Sequence, residues 1–270
     1  MLPIEEDEAA LLKQRTLSAL VFAPLVVGAC FMGGAVFLGF ILVIGGFCAW
    51  EYRRMVAGTG INLSVIFIPL CAAVALAGLS NRLDWFVASI ISGSLIVLAT
   101  SIRQGMLDTV FGVSGVIYVG ALLGALGLLR MQPDGREWCF FVLFITWAND
   151  MGAYFGGRAF GKRKLAPAIS PGKSWEGAAF GLGSGVVTGA ALSSWVGLNL
   201  AGGALAGAFL ALMAQVGDLV ESKFKRYCKV KDSGKAIPGH GGFLDRFDSL
   251  LFTGAGGLLI RGIYRLLLHS

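Results

Sequence analysis

Long apolar runs, separated by short charged connections, are the feature of this sequence that most limits its fold. A helix needs about 20 apolar residues to cross the roughly 30 Å of hydrocarbon in a bilayer. Because a helix satisfies its backbone hydrogen bonds internally, such runs predict transmembrane helices. The predicted fold class is therefore all-α, a polytopic transmembrane helix bundle of about nine spans. The nine runs are residues 17–32, 34–52, 63–79, 85–101, 109–129, 138–156, 174–196, 200–220 and 249–268.

The composition favours a membrane protein over a soluble one. Of the 270 residues, 56% are hydrophobic and 14% are charged, whereas an average soluble domain is about 25% charged. The 40 glycines suit membrane helices, because small residues let helix backbones approach closely. The five cysteines show no metal-ligand spacing and are interpreted as small apolar side chains.

The chain is predicted to form one integral membrane domain over residues 1–270, since no repeat or linker marks a second one. Residues 1–135 contain the first five spans, and residues 136–270 contain the last four. Only Gly33-Gly34 separates the first two runs, so these are either two spans or one long broken helix. The acidic start of the chain lacks the basic region of a secretory signal, so the first run is expected to be retained.

The basic residues predict the orientation of the bundle. With a cytoplasmic N-terminus and nine crossings, 17 of the 22 Lys and Arg residues fall in cytoplasmic segments, in agreement with the positive-inside rule. The net charge of +6 is spread over the connections between spans. This distribution favours an anionic leaflet and phosphate-bearing substrates, and it argues against a nucleic-acid partner.

Two cytoplasmic connections carry most of this charge. Residues 157–173 contain five basic residues and no acidic one, and residues 221–248 contain seven basic and four acidic residues. Positive connections also arise for topological reasons alone. Residues 222–248, however, interleave lysines, glycines and carboxylates, and Lys and Arg side chains neutralise developing phosphoryl charge. We therefore predict that these connections bind phosphate groups.

Five carboxylates lie at the predicted cytoplasmic ends of spans, where ionisable groups are costly. They are Asp150, Glu176, Asp218, Asp245 and Asp248. Each one alone is consistent with an ordinary interfacial carboxylate. Five together, beside two basic connections, predict a functional site.

The pair Asp245 and Asp248 predicts a cation site. Their spacing of three residues places both on one face of a helix. Grouped carboxylates are hard oxygen ligands suited to Mg²⁺, and Asp218 is placed to complete the set from the preceding span. The alternative is that Asp245 caps the helix or pairs with Arg246.

A glycine-rich turn at residues 237–242, IPGHGG, precedes these aspartates. Glycines let backbone N–H groups turn toward an anion, and the start of a helix favours phosphate. The turn therefore predicts a phosphate site next to the cation. His240 has two interpretations, as a ligand or hydrogen-bond donor and as a structural residue.

Residues 222–248, SKFKRYCKVKDSGKAIPGHGGFLDRFD, resemble the signature of the phosphatidate cytidylyltransferase family, also called CDP-diacylglycerol synthases. Two further stretches, NDMGAYFGGRAFGK at 149–162 and SPGKSWEG at 170–177, are similar to family features. The first five spans are similar only in hydropathy. The signature positions are Ser222, Lys225, Arg226, Lys231, Asp232, Pro238, His240, Gly241, Gly242, Asp245, Arg246 and Asp248.

The resemblance implies a homodimeric enzyme of the cytoplasmic (inner) membrane that uses CTP and phosphatidate and depends on Mg²⁺, with room for a second cation. The site would face the cytoplasm. Carried over by position, the metal ligands are Asp218, Asp245 and Asp248, and these form the catalytic set together with Lys225 and Arg226. The implied substrate contacts are Arg158, Lys173, Ser222, Lys231, His240, Gly241, Gly242 and Arg246.

Three other functions share part of this pattern. A polyprenol kinase and a cytidylyltransferase for another lipid phosphate would use the same carboxylates and cations. A transporter or channel would use Asp150 and Asp218 as pathway residues, although transporters place such groups near the bilayer midplane. The acids here are predicted to lie at one membrane face, which favours the enzymes.

Overall fold

A computed structural model describes residues 22–237 and 241–269, and these form a bundle of α-helices with one small hairpin. The first half contains α1 (Phe22–Met32), α2 (Gly34–Ala57), α3 (Phe67–Gly78), α4 (Leu83–Ser101), α5 (Met106–Gly115), a π-helical turn (Val116–Ala121) and α6 (Leu122–Arg130). The second half contains α7 (Gly135–Phe160), β1 (Lys164–Ala166), β2 (Ser170–Ser174), α8 (Trp175–Ala191), a 3₁₀ turn (Ser193–Val196), α9 (Leu200–Tyr227) and α10 (Leu244–His269).

The helices follow the apolar runs of the sequence. Within the described residues each predicted run coincides with a helix, and residues 17–21 of the first run lie outside them. Five helical segments are long and apolar enough to cross a membrane, whereas α1 and α3 are apolar but shorter. The five are Gly34–Ala57, Leu83–Ser101, Met106–Arg130, Leu200–Tyr227 and Leu244–Leu267. The chain is therefore a largely helical protein of membrane type.

The faces of α4 show which surface meets lipid. Trp85, Ile91 and Leu95 all point outward and are more than half exposed. A continuous apolar surface of this kind is unfavourable in water. The same surface is satisfied by hydrocarbon, as predicted from the composition.

Gly33 and Gly34 separate α1 from α2. Their φ angles are 64° and 51°, a region that side chains with a Cβ rarely adopt. Across this break, Arg130 at the end of α6 donates from Nε to the carbonyl oxygen of Cys30 at 2.7 Å. The two runs are therefore two helices rather than one continuous helix.

Glycines set the close packing of α8 against its neighbours. A Cβ on Gly185 or Gly189 of α8 would clash with α9, and a Cβ on Gly207 of α9 would clash with Gly185. Contacts between backbones at this distance are typical of small residues spaced four apart in membrane helices. This packing holds the C-terminal half of α8 against the N-terminal half of α9.

Both charged connections are shorter than the sequence predicts. Helix α7 continues to Phe160, and residues of the 157–173 connection form the antiparallel pair β1 and β2. Helix α9 continues to Tyr227 and α10 begins at Leu244, so the second connection covers only residues 228–243. Hydropathy marks where apolar residues end, whereas backbone hydrogen bonding continues through charged residues that extend beyond the core.

Candidate active site

Two neighbouring cavities lie among the helix ends that carry the predicted site residues. The first, the polar cavity, has a volume of about 590 Å³ and lies between α7, β2, α8 and α9. The second, the apolar-walled cavity, has a volume of about 330 Å³ and lies between α1, α7 and α10. Asp150 of α7 lines both, so the two cavities adjoin at this residue.

Cations and amides from α7, α9 and the hairpin line the polar cavity. Lys173 of β2 forms an ion pair with Asp218 of α9 at 2.5 Å, and Arg158 donates to the Tyr154 hydroxyl at 3.3 Å. Fixed cations in a cavity of this size are suited to a polyphosphate, since charge-assisted hydrogen bonds to phosphate oxygens are strong. The other polar lining residues include Asn149, Asp150, Ser170, Ser174 and Gln215.

Three of the predicted residues meet on one side of this cavity. Ser222 Oγ donates to Asp218 Oδ1 at 3.3 Å, one turn along α9. Lys173 approaches the same carboxylate from the hairpin. The structure therefore brings Lys173, Asp218 and Ser222 together.

The apolar-walled cavity places acids beside hydrocarbon side chains. Asp245, Arg246 and Asp248 of α10 line one part of it, together with Asp150. A pocket with one charged end and apolar walls suits an amphipathic molecule. The apolar part of the lining includes Phe22, Val26, Leu143, Trp147, Phe247 and Leu250.

Asp245 is held by a cation and by the backbone at the start of α10. Lys225 Nζ donates to its Oδ1 at 2.6 Å, and Lys225 also forms an ion pair with Glu221. The Gly242 N–H donates to Asp245 Oδ2 at 2.7 Å, and the Ser233 N–H donates to the same oxygen at 2.9 Å. These two N–H groups precede α10, so Asp245 binds the connection rather than the first turn of the helix, and the structure shows an ion pair between Asp245 and Lys225.

The three aspartates predicted as metal ligands lie in one region but do not form a single cluster. Asp248 is close enough to Asp218 and Asp150 for their charges to repel, whereas Asp245 is held by the Lys225 ammonium group. In the part of the chain that the structure describes, no group of three or more His, Cys, Asp or Glu side chains has the spacing of a metal site. The predicted triad is therefore not assembled, although the oxygen donors of Asp218 and Asp248 fit a hard divalent cation.

The predicted phosphate contacts Arg226 and Lys225 serve internal contacts in this structure. Arg226 donates to the carbonyl oxygens of Ile169 at 3.1 Å and Val230 at 3.0 Å, so it ties the hairpin connection to the end of α9. Lys225 is largely buried between its two carboxylates. Their contacts with substrate stay predictions.

The remaining predicted residues occupy the connection before α10. Lys231 is exposed there, and Gly241 has a φ of 81° that favours glycine. The Gly242 N–H, predicted to face a phosphate, is used by Asp245. Arg246 lines the apolar-walled cavity, and His240 lies outside the described residues.

Cys228, which follows α9, does not act as a reactive thiol. It is buried, and burial raises the pKa of this thiol to about 11. A thiol that stays protonated is a poor nucleophile and a poor metal ligand. All five cysteines are buried free thiols, in agreement with their interpretation as apolar side chains.

Glu51 of α2, a completely buried carboxylate, is not among the site residues predicted from the sequence. It accepts hydrogen bonds from the N–H groups of Phe243 and Leu244 at 3.0 and 2.9 Å. The sequence does indicate Glu51, because it is an acidic residue inside an apolar run, and such residues are energetically unfavourable in a membrane. Its partners, however, are more than 180 residues away in sequence.

Together, the fold and the site define a helical membrane protein with one cavity suited to phosphate groups and another suited to an amphipathic molecule. The sequence profile of the cytidylyltransferase family matches residues 13–261. The chain belongs to this family.

This chain is similar to two relatives that have the same name. It is 34% identical over 252 residues to the phosphatidate cytidylyltransferase of Staphylococcus haemolyticus, covering 90% of this chain and 96% of that one. It is 37% identical over 259 residues to the phosphatidate cytidylyltransferase of Pseudomonas aeruginosa, covering 89% and 93%. The family match over residues 13–261 includes the residues that line both cavities and the connection before α10.

Proposed function

We propose that this protein transfers the cytidylyl group of CTP to phosphatidate, forming CDP-diacylglycerol and pyrophosphate. One observation carries this assignment: relatives named phosphatidate cytidylyltransferase match about nine tenths of the chain. The family profile covers residues 13–261. The paired cavities supply the physical support, because the reaction must join a water-soluble polyanion to a lipid.

The polar cavity is the proposed site of the CTP phosphates. Arg158 and Lys173 supply positive charge there, and the amide groups of Asn149 and Gln215 supply hydrogen-bonding capacity. Gln215 already donates to Asn149 Oδ1 at 2.9 Å, which fixes the orientation of both amides. A polyphosphate would compete for Lys173 with Asp218, so binding of CTP would release this carboxylate.

The apolar-walled cavity is the proposed site of the phosphatidate glycerol and the first part of its acyl chains. Its walls from α1 and α7 are apolar, and its charged end adjoins the polar cavity at Asp150. The lipid tails would remain in the bilayer. This arrangement would bring the lipid phosphate next to the α-phosphorus of CTP.

In the proposed reaction, a phosphate oxygen of phosphatidate attacks the α-phosphorus of CTP. A new P–O bond forms, the bond between the α-phosphorus and the bridging oxygen breaks, and pyrophosphate leaves with that electron pair. The nucleophile is already an anion and needs no strong base. The main obstacles are repulsion between two polyanions and the charge that develops on the leaving group.

The chain's own groups reduce both obstacles. Lys173 and Arg158 would neutralise the triphosphate and hold it in line with the lipid phosphate. Asp218 and Asp248, with Asp245 beside them, would hold Mg²⁺, and a second cation fits the number of acids. When bound, Mg²⁺ would neutralise phosphate charge and favour departure of pyrophosphate.

The proposed topology has nine crossings and a cytoplasmic N-terminus, with the site open to the cytoplasm of the inner membrane. The excess of Lys and Arg on this side supports it. A homodimer is proposed for the whole enzyme. Labelling of single cysteines placed in successive connections tests the topology, and the mass of the purified complex tests the dimer.

Two radioactive labels test the proposed reaction. Purified protein in lipid vesicles is given phosphatidate, Mg²⁺ and CTP labelled at either the α- or the γ-phosphate. We expect α-label in a lipid product and γ-label in pyrophosphate. Appearance of γ-label in lipid would indicate a kinase, and α-label entering lipid only with another lipid phosphate would indicate a different acceptor.

A further inference from the structure

Glu51 connects the first half of the chain to the start of α10. Its side chain is completely buried on α2. It accepts hydrogen bonds from the Ser233 hydroxyl at 2.9 Å, the Phe243 N–H at 3.0 Å and the Leu244 N–H at 2.9 Å. One turn earlier on α2, the ring of Phe47 stacks on the ring of Phe243 with centroids 4.5 Å apart. Two successive turns of α2 therefore contact the connection before α10.

A buried carboxylate is unfavourable unless donors surround it. The donors here include backbone N–H groups at the start of α10, which have no acceptor within the helix and carry the positive end of its dipole. Glu51 thus acts as a cap supplied by another helix. This explains why an acid is tolerated within an apolar run.

The connection is shaped to admit this carboxylate. A Cβ on Gly234 or on Gly242 would clash with the oxygens of Glu51. Gly242, which belongs to the glycine-rich turn predicted to bind phosphate, therefore makes room for an internal carboxylate, as Gly234 also does. A larger side chain at either glycine would displace the Glu51 carboxylate from the connection.

The contact continues to the proposed metal ligands through Ser233. The Ser233 hydroxyl lies 2.9 Å from Glu51 Oε2 and 3.0 Å from Asp245 Oδ2, and it has one proton to donate. The Ser233 N–H also donates to Asp245. Displacement of Ser233 would consequently move Asp245, and it would disturb Asp248 one turn further along α10.

We propose that Glu51 is a positioning residue that fixes the connection before α10 and thereby places Asp245 and Asp248 at the cavities. It touches no proposed substrate and acts only through Ser233 and the α10 backbone. The inference rests on the proposed function for its kinetic consequence. Its structural consequence is independent of that function.

The kinetic test uses Glu51→Gln, which preserves size but turns an amide toward backbone donors. We expect kcat at saturating CTP and phosphatidate to fall by about tenfold or more, as for loss of groups that support metal ligands. The KM for CTP should change by less than about threefold, because the polar cavity is not touched. Glu51→Asp should restore part of kcat, and Glu137→Gln, a partly exposed acid paired with Arg136, is the matched control with wild-type rates.

A double-mutant cycle tests the route through Ser233. If the two residues act through one contact, the loss in Glu51→Gln/Ser233→Ala should be clearly smaller than the product of the two single losses. A loss equal to that product would overturn the proposed route. Should Glu51→Gln yield no folded protein, wild-type kcat in Ser233→Ala overturns the proposal and a loss of kcat supports it.

A labelling experiment separates this inference from the proposed reaction. Ile237, which lies in the same connection, is buried, so Ile237→Cys should react slowly with a water-soluble maleimide. Adding Glu51→Gln should increase the rate by about tenfold, and adding Glu137→Gln should leave it unchanged. Equal rates in all backgrounds overturn the inference even if cytidylyl transfer is observed, and absence of transfer by the wild type overturns only the proposed function.

Discussion

The charge clusters at the two ends of α10 differ in how fully their carboxylates are paired with cations. Near its C-terminal end, Arg261 and Arg265 both bind Asp134, at 2.6 and 3.0 Å, and Arg261 also donates to Gln132 at 2.8 Å. At its N-terminal end, carboxylates outnumber the lysines that pair with them. That group consists of Asp150, Asp218, Glu221, Asp245 and Asp248 with Lys173, Lys225 and Arg246.

We interpret the fully paired cluster at the C-terminal end as a structural network, and the incompletely paired cluster at the N-terminal end as part of the candidate active site. Asp134 is already compensated: burial raises its pKa, but hydrogen bonds from Arg261 and Arg265 outweigh burial and leave that pKa below its usual value. No further charge is needed there. The acids beside the cavities retain mutual repulsion, which a bound cation would relieve. The following predictions test this contrast.

Asp245→Asn should have the largest effect, because it removes both a proposed ligand and a structural partner. We expect kcat to fall by about 100-fold or more. Loss of one of the two carboxylates that pair with Lys225 should cost about 2 kcal/mol and lower the melting temperature by several degrees. Product formation and thermal unfolding of purified protein measure the two effects, and an unchanged melting temperature would contradict the role as an anchor.

Asp248→Asn should reduce activity without this loss of stability. Removing one of several repelling carboxylates relieves unfavourable interactions, so the melting temperature should be equal or higher. The expected loss in kcat is about 100- to 1,000-fold. A variant that retained wild-type turnover would exclude Asp248 from the site.

Lys173→Ala should affect CTP binding. We expect the KM for CTP to rise about tenfold, since the residue would contact the polyphosphate in ground and transition states. Lys164→Ala, an exposed lysine of the same hairpin, is the control with an unchanged KM. Equal KM values for CTP in Lys173→Ala and Lys164→Ala would show that Lys173 does not belong to the proposed CTP site.

Asp134→Asn should lower stability but leave the reaction intact. We expect a melting temperature lower by about 5 °C and a kcat within about twofold of wild type. Asp84→Asn, which breaks an exposed pair with Arg82, should have almost no effect on either quantity. A large loss of kcat in Asp134→Asn would show that the two ends of α10 are functionally coupled.

The smallest effect is expected in the pH dependence of the Asp134 contribution. Because its folded-state pKa is below the unfolded value, its stabilisation is complete above about pH 4 and is lost as the pH falls through the folded-state pKa. The difference in melting temperature between wild type and Asp134→Asn should therefore be constant from about pH 8 to 5 and shrink only in stronger acid. A difference that shrank near neutral pH would contradict this assignment.

Local patterns in the sequence predicted the helices and the set of helix ends at which the candidate site residues lie. The apolar runs became helices because hydropathy and backbone hydrogen bonding are local properties. The sequence also predicted that Lys173, Asp218 and Ser222 serve one site, and the structure brings these three together. It left open whether Asp245 caps α10; in the structure this carboxylate accepts from the Gly242 N–H, which precedes the helix, and Glu51 accepts from the Leu244 N–H.

The sequence alone determined a helical membrane protein with acidic and basic groups at one set of helix ends, because each of these features depends on residues close together in the chain. Only the tertiary structure decided that Lys225 holds Asp245, that the two cavities adjoin at Asp150, and that Glu51 caps α10. These contacts join distant segments. They depend on how helices pack, and helix packing is set by three-dimensional complementarity such as the glycine contacts between α8 and α9.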